Sequence, residues 1–237
     1  MNVPKKLAKG GLAGLLALGI IVGVGVQVAR GGTQGPASGQ VQLGLTFFDE
    51  DELTFLDAKS SDGQSTAHAD LATMPTVGLG GMLPLSRGEA GDFGFEAGGL
   101  VGWASDSQAV PADNGKGEVM IDADWTVVDL SCGLFVRTAT EDGLARFHAG
   151  AGPLFWLGQL HRDTIEGSPT WYTPMAERSE SIFGYGLYGR LGVEFNVETG
   201  WLGLGARGTW GEMTFDGDTE DVDIRSLQGF LTFSSAW

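Results

Sequence analysis

Ile224-Arg-Ser-Leu-Gln-Gly-Phe-Leu-Thr-Phe-Ser-Ser-Ala-Trp237, the last stretch of the chain, alternates apolar with polar side chains. Successive side chains of a β-strand point to opposite faces, so this stretch has one apolar and one polar face. The apolar face carries Leu227, Leu231, Phe233 and Trp237, and the polar face carries Ser226, Gln228, Thr232 and Ser234. Seven earlier segments alternate in a similar way. The pattern predicts an all-β chain whose eight antiparallel strands close into an up-and-down barrel.

The first residues of the chain have the pattern of a secretory signal. Lys5, Lys6 and Lys9 precede a run of 20 uncharged residues, 10–29, and a Gly/Ser-rich stretch follows at 30–39. We predict that residues 1–39 are a signal peptide and short linker, and that the barrel domain comprises residues 40–237. An uncleaved helical anchor stays open as an alternative, because an apolar run of this length can span a bilayer.

Composition and charge limit the class of protein. The formal net charge is −16, and removing residues 1–39, which carry four bases and no acids, would lower it to −20. Such a surface makes nucleic acid an unfavourable partner. The 40 glycines and the lack of an extended helical period after residue 40 argue against a helical or doubly wound fold. The single cysteine, Cys132, excludes an internal disulfide and a lipid-modified cysteine near the leader.

The predicted strands and their connections suit a barrel in an outer membrane. Such barrels have long extracellular loops and short periplasmic turns, and the connections here alternate in the same way. The predicted strands are 40–48, 73–85, 93–103, 119–137, 145–160, 182–195, 201–215 and 224–237. The long or polar connections are 49–72, 104–118, 161–181 and 216–223, and the short ones are 86–92, 138–144 and 196–200.

The long connections are acidic. By these boundaries they carry 19 acidic residues against four basic ones, Lys59, Lys116, Arg162 and Arg178. One interpretation is a hydrated, soluble rim. The other is binding of divalent cations that bridge to anionic lipid headgroups, because clustered carboxylates are hard oxygen ligands. No loop has the spacing of a known calcium motif, so we predict no specific metal site.

Periodicity alone does not say which face of the strands points inward. A secreted soluble barrel would bury its apolar face, whereas a membrane barrel turns that face to lipid. In the segment 182–195 one face is apolar, and the other combines glycines with Arg190 and Glu194. Glycines cover nothing on an outer surface, but inside a narrow barrel they leave room for long charged side chains. The pattern therefore favours a transmembrane barrel, and a secreted soluble ligand-binding barrel is the alternative.

Strand parity assigns nine charged residues to the lumen. Their near balance predicts a paired network that plugs the barrel, since unpaired charges there would be costly; a gated ion pathway is the alternative. The fourth predicted strand changes phase along its length, so we expect a β-bulge near Val127 and Val128 that keeps both halves, including Cys132, on lipid. The predicted lumen charges are Glu96, Asp122, Asp124, Asp129, Arg137, Arg146, Arg190, Glu194 and Arg207.

Three stretches resemble a known family. Glycines alternate with aromatic and aliphatic side chains in Phe147-His-Ala-Gly-Ala-Gly-Pro-Leu-Phe-Trp156, in Phe183-Gly-Tyr-Gly-Leu-Tyr-Gly-Arg-Leu-Gly-Val-Glu-Phe195 and in Trp201-Leu-Gly-Leu-Gly-Ala-Arg-Gly-Thr-Trp210. The chain resembles the small eight-stranded outer-membrane barrels of the outer-membrane protein A and W type over nearly all of residues 40–237. The resemblance implies a place in the cell outer membrane, among its lipids.

The same resemblance concerns the end of the chain. Leu231, Phe233 and Trp237 are similar to the C-terminal signal that the barrel-insertion machinery recognises. Ser235 departs from that signal, because it stands where a hydrophobe is often found. The resemblance implies that the insertion machinery is a partner of this chain.

The expected function follows from the size of the barrel. Eight strands enclose a space that side chains can fill, so we expect a structural or surface-interaction protein. The sequence has no nucleotide, zinc or catalytic-triad pattern, and His161 with Asp163 is the one arrangement near the outer leaflet that an enzyme could use. We therefore predict that the chain is not an enzyme and has no cofactor. A channel for small or hydrophobic solutes is the alternative, with Leu154 and Trp156 in an apolar upper lumen.

Overall fold

A computed structural model describes most of the chain after the predicted signal peptide. The described ranges are 37–49, 52–60, 63–70, 73–88, 91–111, 118–164, 178–217, 219 and 221–236. They contain ten strands: β1 (Ser38–Phe48), β2 (Glu52–Ser60), β3 (Gly63–Asp70), β4 (Met74–Gly88), β5 (Gly91–Pro111), β6 (Glu118–Ala139), β7 (Ala145–Thr164), β8 (Arg178–Val197), β9 (Gly200–Phe215) and β10 (Val222–Ala236). Residues 1–36 of the predicted signal peptide and Trp237 lie outside these ranges. Within them, no helix combines the length and apolar character needed to cross a bilayer.

Eight of the strands form one closed antiparallel barrel. They are hydrogen-bonded in the order β1, β10, β9, β8, β7, β6, β5, β4, and β4 pairs with β1 to close the ring. This confirms the predicted eight-stranded up-and-down barrel. The other two strands, β2 and β3, pair with each other in a separate hairpin, within the connection 49–72 that was predicted as a loop.

The closure of the barrel is staggered. Following paired residues once round the ladder from Asp92 leads to Gly102 on the same strand, β5. A barrel of eight strands with such a stagger has strands tilted by about 35–45° and an interior just wide enough for side chains. Strand number and stagger together therefore limit what the lumen can hold.

The turn between β6 and β7 lies at the end of the barrel with the short connections, which we assign to the periplasm. Gly143 has a φ of +67°, in the left-handed region that glycine adopts without strain. The Thr140 hydroxyl and the Leu144 N–H donate to Oδ1 of Asp142 at 2.6 and 3.0 Å. These hydrogen bonds lower the pKa of the exposed Asp142 carboxyl, so the turn favours its ionised form.

The apolar faces of the strands point outward. On β10, Leu227 and Leu231 are 59% and 53% exposed, whereas Gln228 and Thr232 are buried inside the barrel. Large apolar side chains are exposed in this way on all eight barrel strands. A continuous apolar surface of this extent marks a lipid-facing belt in a closed barrel. The alternative of a secreted soluble barrel would bury this face, and the structure does not agree with it.

Strands β5 to β8 continue well beyond the apolar belt. A strand that crosses a bilayer needs about 9–11 residues. Strands β5 to β8 have 20 to 22 residues each, against 11 in β1. Residues 104–111 and 118 of one predicted loop, and 161–164 and 178–181 of another, are therefore strand. We call this part the extracellular extension; it comprises 104–111 of β5, 118–125 of β6, 159–164 of β7 and 178–182 of β8.

The two strand faces exchange character in the extracellular extension. β6 keeps one register with β5 along its whole length, so the bulge predicted near Val127 is wrong. Trp125 and Val127 are buried inside the barrel, while Asp122 and Asp124, which were predicted to face inward, point outward. The physical reason is the change of solvent. Lipid surrounds the lower half of β6 and water surrounds the upper half. A regular strand therefore presents apolar side chains to lipid below and polar side chains to water above.

An apolar core fills the inside of the barrel at this level. Trp125 and Trp156 are each 4% exposed, and the ring of Phe48 lies 5.5 Å from that of Trp125 between centroids. This packing is that of a water-soluble β-barrel, with apolar residues inside and polar residues outside. The buried cluster comprises Ala123, Trp125, Val127, Leu154, Trp156, Leu160, Ile182, Tyr188, Met213 and Ile224.

The position of the belt predicts the effect of a charge on it. Leu187 is 62% exposed in the middle of β8, so Leu187→Arg should cost about 2–4 kcal/mol of stability in a bilayer. Ser105→Arg, on the exposed face of the extracellular extension, should cost almost nothing. Urea unfolding of the protein in lipid vesicles measures both. Equal tolerance at the two positions would contradict the membrane placement.

The exchange of faces predicts a second difference, between two tryptophans. Trp125→Ala should cost about 3–5 kcal/mol, because it leaves a cavity in a packed core. Trp103→Ala should cost much less, because Trp103 is 50% exposed on the outer face. The same unfolding experiment compares them. A small loss of unfolding free energy for Trp125→Ala would mean that this side chain lies on the outer face, as the predicted bulge required.

Candidate functional site

Glycines on the lumen face make room for the charged side chains. An added Cβ at Gly150 would lie 2.3 Å from Oε1 of Glu96, and one at Gly192 would lie 2.3 Å from Cε1 of His148. Both distances are far inside van der Waals contact, so neither position can carry a side chain without displacing its neighbour. Glycines on the lumen face of β7 and β8, such as Gly150 and Gly192, thus provide the space that the charged lumen residues occupy.

Glu96 on β5 is the centre of a hydrogen-bonded network across the lumen. It accepts hydrogen bonds from the Tyr188 hydroxyl at 2.7 Å and from Nη2 and Nε of Arg190 at 2.6 and 3.0 Å. Nη1 of Arg190 donates to Oε1 of Gln40 at 3.1 Å. Because Glu96 is only 6% exposed, these donors replace the water that its carboxylate loses. The contacts connect β5, β8 and β1.

Glu194 extends this network toward the periplasmic end. Its Oε1 accepts hydrogen bonds from Nε2 of Gln40 at 3.2 Å and from the Ser234 hydroxyl. Its Oε2 accepts from Nε of Arg146 at 2.5 Å. The guanidinium carbon of Arg146 lies 4.2 Å from the centroid of the Trp201 ring, a cation–π contact. Side chains from five strands therefore meet around one buried carboxylate.

Two more ion pairs flank the network. Nη2 of Arg207 lies 2.9 Å from Oδ1 of Asp129, and its guanidinium carbon lies 4.7 Å from the centroid of the Tyr188 ring. Near the periplasmic end, Nη2 of Arg137 lies 2.7 Å from Oδ2 of Asp92. Each of the four arginines predicted for the lumen thus has a carboxylate partner.

The structure brings together most of the residues that were predicted for the lumen. Asp122 and Asp124 are the exceptions, because they lie on the outer face of the extracellular extension. Sequence analysis missed Asp92, since it was assigned to a turn, and Gln40 and Tyr188, since uncharged polar residues were not considered. The predicted residues that meet are Glu96, Asp129, Arg137, Arg146, Arg190, Glu194 and Arg207.

A further buried ion pair lies at the extracellular end of the lumen. Arg162 and Glu180 form it, and their side chains are 1% and 3% exposed. The N–H and the hydroxyl of Thr219 donate to Oε2 of Glu180 at 3.3 and 2.5 Å. Thr219, which lies between β9 and β10, therefore contacts this buried pair. Both members of the pair had been assigned to the predicted loop 161–181, so no partner was expected.

Little empty space remains in the described lumen. A cavity of about 20 Å³ lies beside Gln40, Glu96 and Arg190, and one of about 30 Å³ lies beside Asp129 and Trp156. A single water needs about 10–15 Å³, so each cavity holds one to three waters. Among the described side chains, no group of three or more His, Cys, Asp or Glu is placed to hold a metal ion. The lumen is thus filled by the protein's own side chains.

The closed ladder, the apolar belt and the charged, filled lumen define a transmembrane β-barrel of the bacterial outer-membrane type. No protein family and no curated protein sequence matches the chain. Among solved structures it is similar to Ail, the attachment invasion locus protein of Yersinia pestis, with 12% identity over 84% of this chain and 99% of that chain and a TM-score of 0.41.

Two other structures show a similar degree of likeness. Neisserial surface protein A has 10% identity over 85% of this chain and 97% of that chain, with a TM-score of 0.42. The outer membrane protease OmpT from Escherichia coli has 10% identity over 86% of this chain and 94% of that chain, with a TM-score of 0.40. At these values the likeness assigns no particular activity, and the class stated above rests on the strand pairing and faces of this chain.

The central ion pair predicts a double-mutant cycle. Arg190→Met leaves the buried Glu96 carboxylate without its main partner and should cost about 3–5 kcal/mol. Adding Glu96→Gln should recover part of this loss, because the unpaired charge is then gone. Arg225→Met, at an exposed position on the outer face of β10, is the matched control and should have little effect. Equal losses for Arg190→Met and Arg225→Met in urea unfolding would contradict the network.

Proposed function

We propose that this protein is a structural or surface-interaction protein of the outer membrane, with a closed lumen. The observation that supports the proposal is the filling of the lumen at successive levels. The Glu194 and Glu96 clusters occupy its lower and middle parts, the apolar core around Trp156 follows, and the Arg162–Glu180 pair lies above. The two lumen cavities beside these side chains hold a few waters each, so we expect transport to require rearrangement of buried ion pairs.

The extracellular extension is the surface that we propose for interaction. A strand rises about 3.3 Å per residue, so the additional residue pairs of the ladder raise this surface above the hydrocarbon core of the bilayer. Its outer face carries exposed polar residues, among them Ser105 and Ser181. Because the ladder and the apolar core support this face, it is firmer than a free loop, and loops and edges of rigid scaffolds are common places for recognition.

A channel for small or hydrophobic solutes is the second candidate. Leu154 and Trp156 do point into the upper lumen, and they are 0% and 4% exposed. They belong to a packed core, however, and do not line an empty path. A hydrophobic solute would have to displace this core, which is why the closed barrel is the better proposal.

The proposed partners follow from the surfaces of the barrel. Lipids would cover the belt, where a hollow of about 930 Å³ lies between exposed side chains that include Phe93, Phe147 and Leu191. The insertion machinery would meet Leu231 and Phe233, which point outward on β10. Divalent cations at the extracellular rim, which carries exposed acids such as Asp49, Asp216 and Asp223, remain a proposal.

Planar-bilayer recording tests the closed lumen. The purified protein, checked for folding by its shift on heating in SDS, should insert without stable conductance steps. A variant with Glu96→Ala, Arg190→Ala and Trp156→Ala, which empties the centre, should show steps if it folds. Arg225→Met in the same assay controls for contaminating porins. Stable steps from the unaltered protein would favour the channel and overturn the closed-lumen proposal.

A further inference from the structure

A serine, a histidine and an aspartate lie side by side on the outer face of the extracellular extension. Strand pairing places Asp124 of β6 opposite His161 of β7, and His161 opposite Ser179 of β8. Nδ1 of His161 and Oγ of Ser179 are 3.0 Å apart, within hydrogen-bond distance. Asp124 and Ser179 are exposed and His161 is half-buried, so the group is open to an approaching molecule. The closed-lumen proposal makes no use of these residues.

The position of this row relative to the membrane selects the kind of molecule that can reach it. Leu157 and Phe183 pair at the upper edge of the apolar belt, and the pair of Gln159 with Ser181 separates them from His161 and Ser179. Two such steps along tilted strands amount to about 10 Å above the hydrocarbon. The headgroup region on each side of a bilayer is about 5–7.5 Å thick, so the row lies at its outer edge. A lipid would have to slide outward along the belt by several Å to bring its ester to the row.

The chemistry of the three side chains fits an acyl transfer. A serine becomes a nucleophile when a neighbouring base accepts its proton, and a histidine oriented beside a carboxylate is the commonest base for this purpose. Asp124 lies on the opposite side of His161 from Ser179, where its charge would stabilise the imidazolium that forms. The side-chain amide of Gln159, exposed one step nearer the membrane, offers an N–H donor for the carbonyl oxygen.

We propose that Ser179, His161 and Asp124 form a hydrolytic site for the acyl esters of outer-leaflet lipids. Oγ of Ser179 attacks the ester carbonyl carbon while Nδ1 of His161 accepts the hydroxyl proton. The ester C–O bond then breaks, the leaving alcohol takes the proton from His161, and the acyl group stays on Ser179. Water, with His161 again as base, attacks the acyl-serine and releases the fatty acid. This inference goes beyond the proposed surface role and reverses the sequence prediction that the chain is not an enzyme.

A serine-directed probe tests the nucleophile. The folded protein in detergent micelles would be treated with a long-chain fluorophosphonate, and labelling at Ser179 measured by mass spectrometry. Because a general base contributes about 100-fold or more to such a step, Ser179→Ala should abolish labelling at this position and His161→Asn should slow it by about that factor. Ser107→Ala is the matched control, since Ser107 is an exposed serine on the same outer face that bonds to Asp122 instead of a histidine. The shift on heating in SDS shows that each variant has folded.

Lipid vesicles test the reaction and identify the lipid. One set contains diacyl phosphatidylethanolamine, and the other also contains lipopolysaccharide; released fatty acids are measured by mass spectrometry. Release from either set that is lost in Ser179→Ala and kept in Ser107→Ala supports the proposal and names the source of the ester. Probe labelling that is independent of His161, or no release from either set, overturns it. A closed lumen in the bilayer recording is compatible with both results, so the two proposals fail separately.

Discussion

The buried carboxylate of Glu96 is the group on which the arrangement of the lumen depends. A carboxylate removed from water must be compensated by donors, and the nearest ones lie across the lumen on β8, in Tyr188 and Arg190. The Glu96 carboxylate fits beside β7 because Gly150 has no side chain that would overlap it. The same arginine contacts Gln40 on β1, and β1 pairs with β4 to close the barrel. Closure of the ladder and pairing of the charges therefore stabilise each other.

The second constraint is the change of solvent along the strands. Where lipid surrounds the barrel, polar side chains point inward. Arginines then occupy the lumen in the space that the lumen-facing glycines leave. Where water surrounds it, apolar side chains such as Trp125 and Leu160 point inward, and Asp122 and Asp124 point outward. One regular ladder serves both environments, because only the side chains change and the hydrogen-bonded register of β6 with β5 continues.

These two constraints move function from the inside of the barrel to its outer surface. In the part of the chain that the structure describes, ion pairs and an apolar core occupy the lumen, and a solute would have to displace them. The extracellular extension has an exposed face that begins near the outer edge of the lipid headgroups, and strand pairing brings Ser179 and His161 into contact there. The residues of this row are Asp124, His161 and Ser179. Each lies on a different strand, so no short sequence motif predicts them.

The sequence by itself determined the class of fold, the lipid-facing belt and most of the lumen charges. Period-two alternation is a local property, so Leu231, Phe233, Glu96 and Arg190 could be assigned to a face without knowledge of their partners. Only the tertiary structure decided which charges pair, where the strands end and which way Asp122 and Asp124 point. One reason is that register depends on hydrogen bonds between strands that can be far apart in sequence. The other is that the apolar face of an alternating strand points outward in lipid and inward in water. Alternation in 118–139 therefore looked like a change of phase, whereas the strand is regular and its surroundings change.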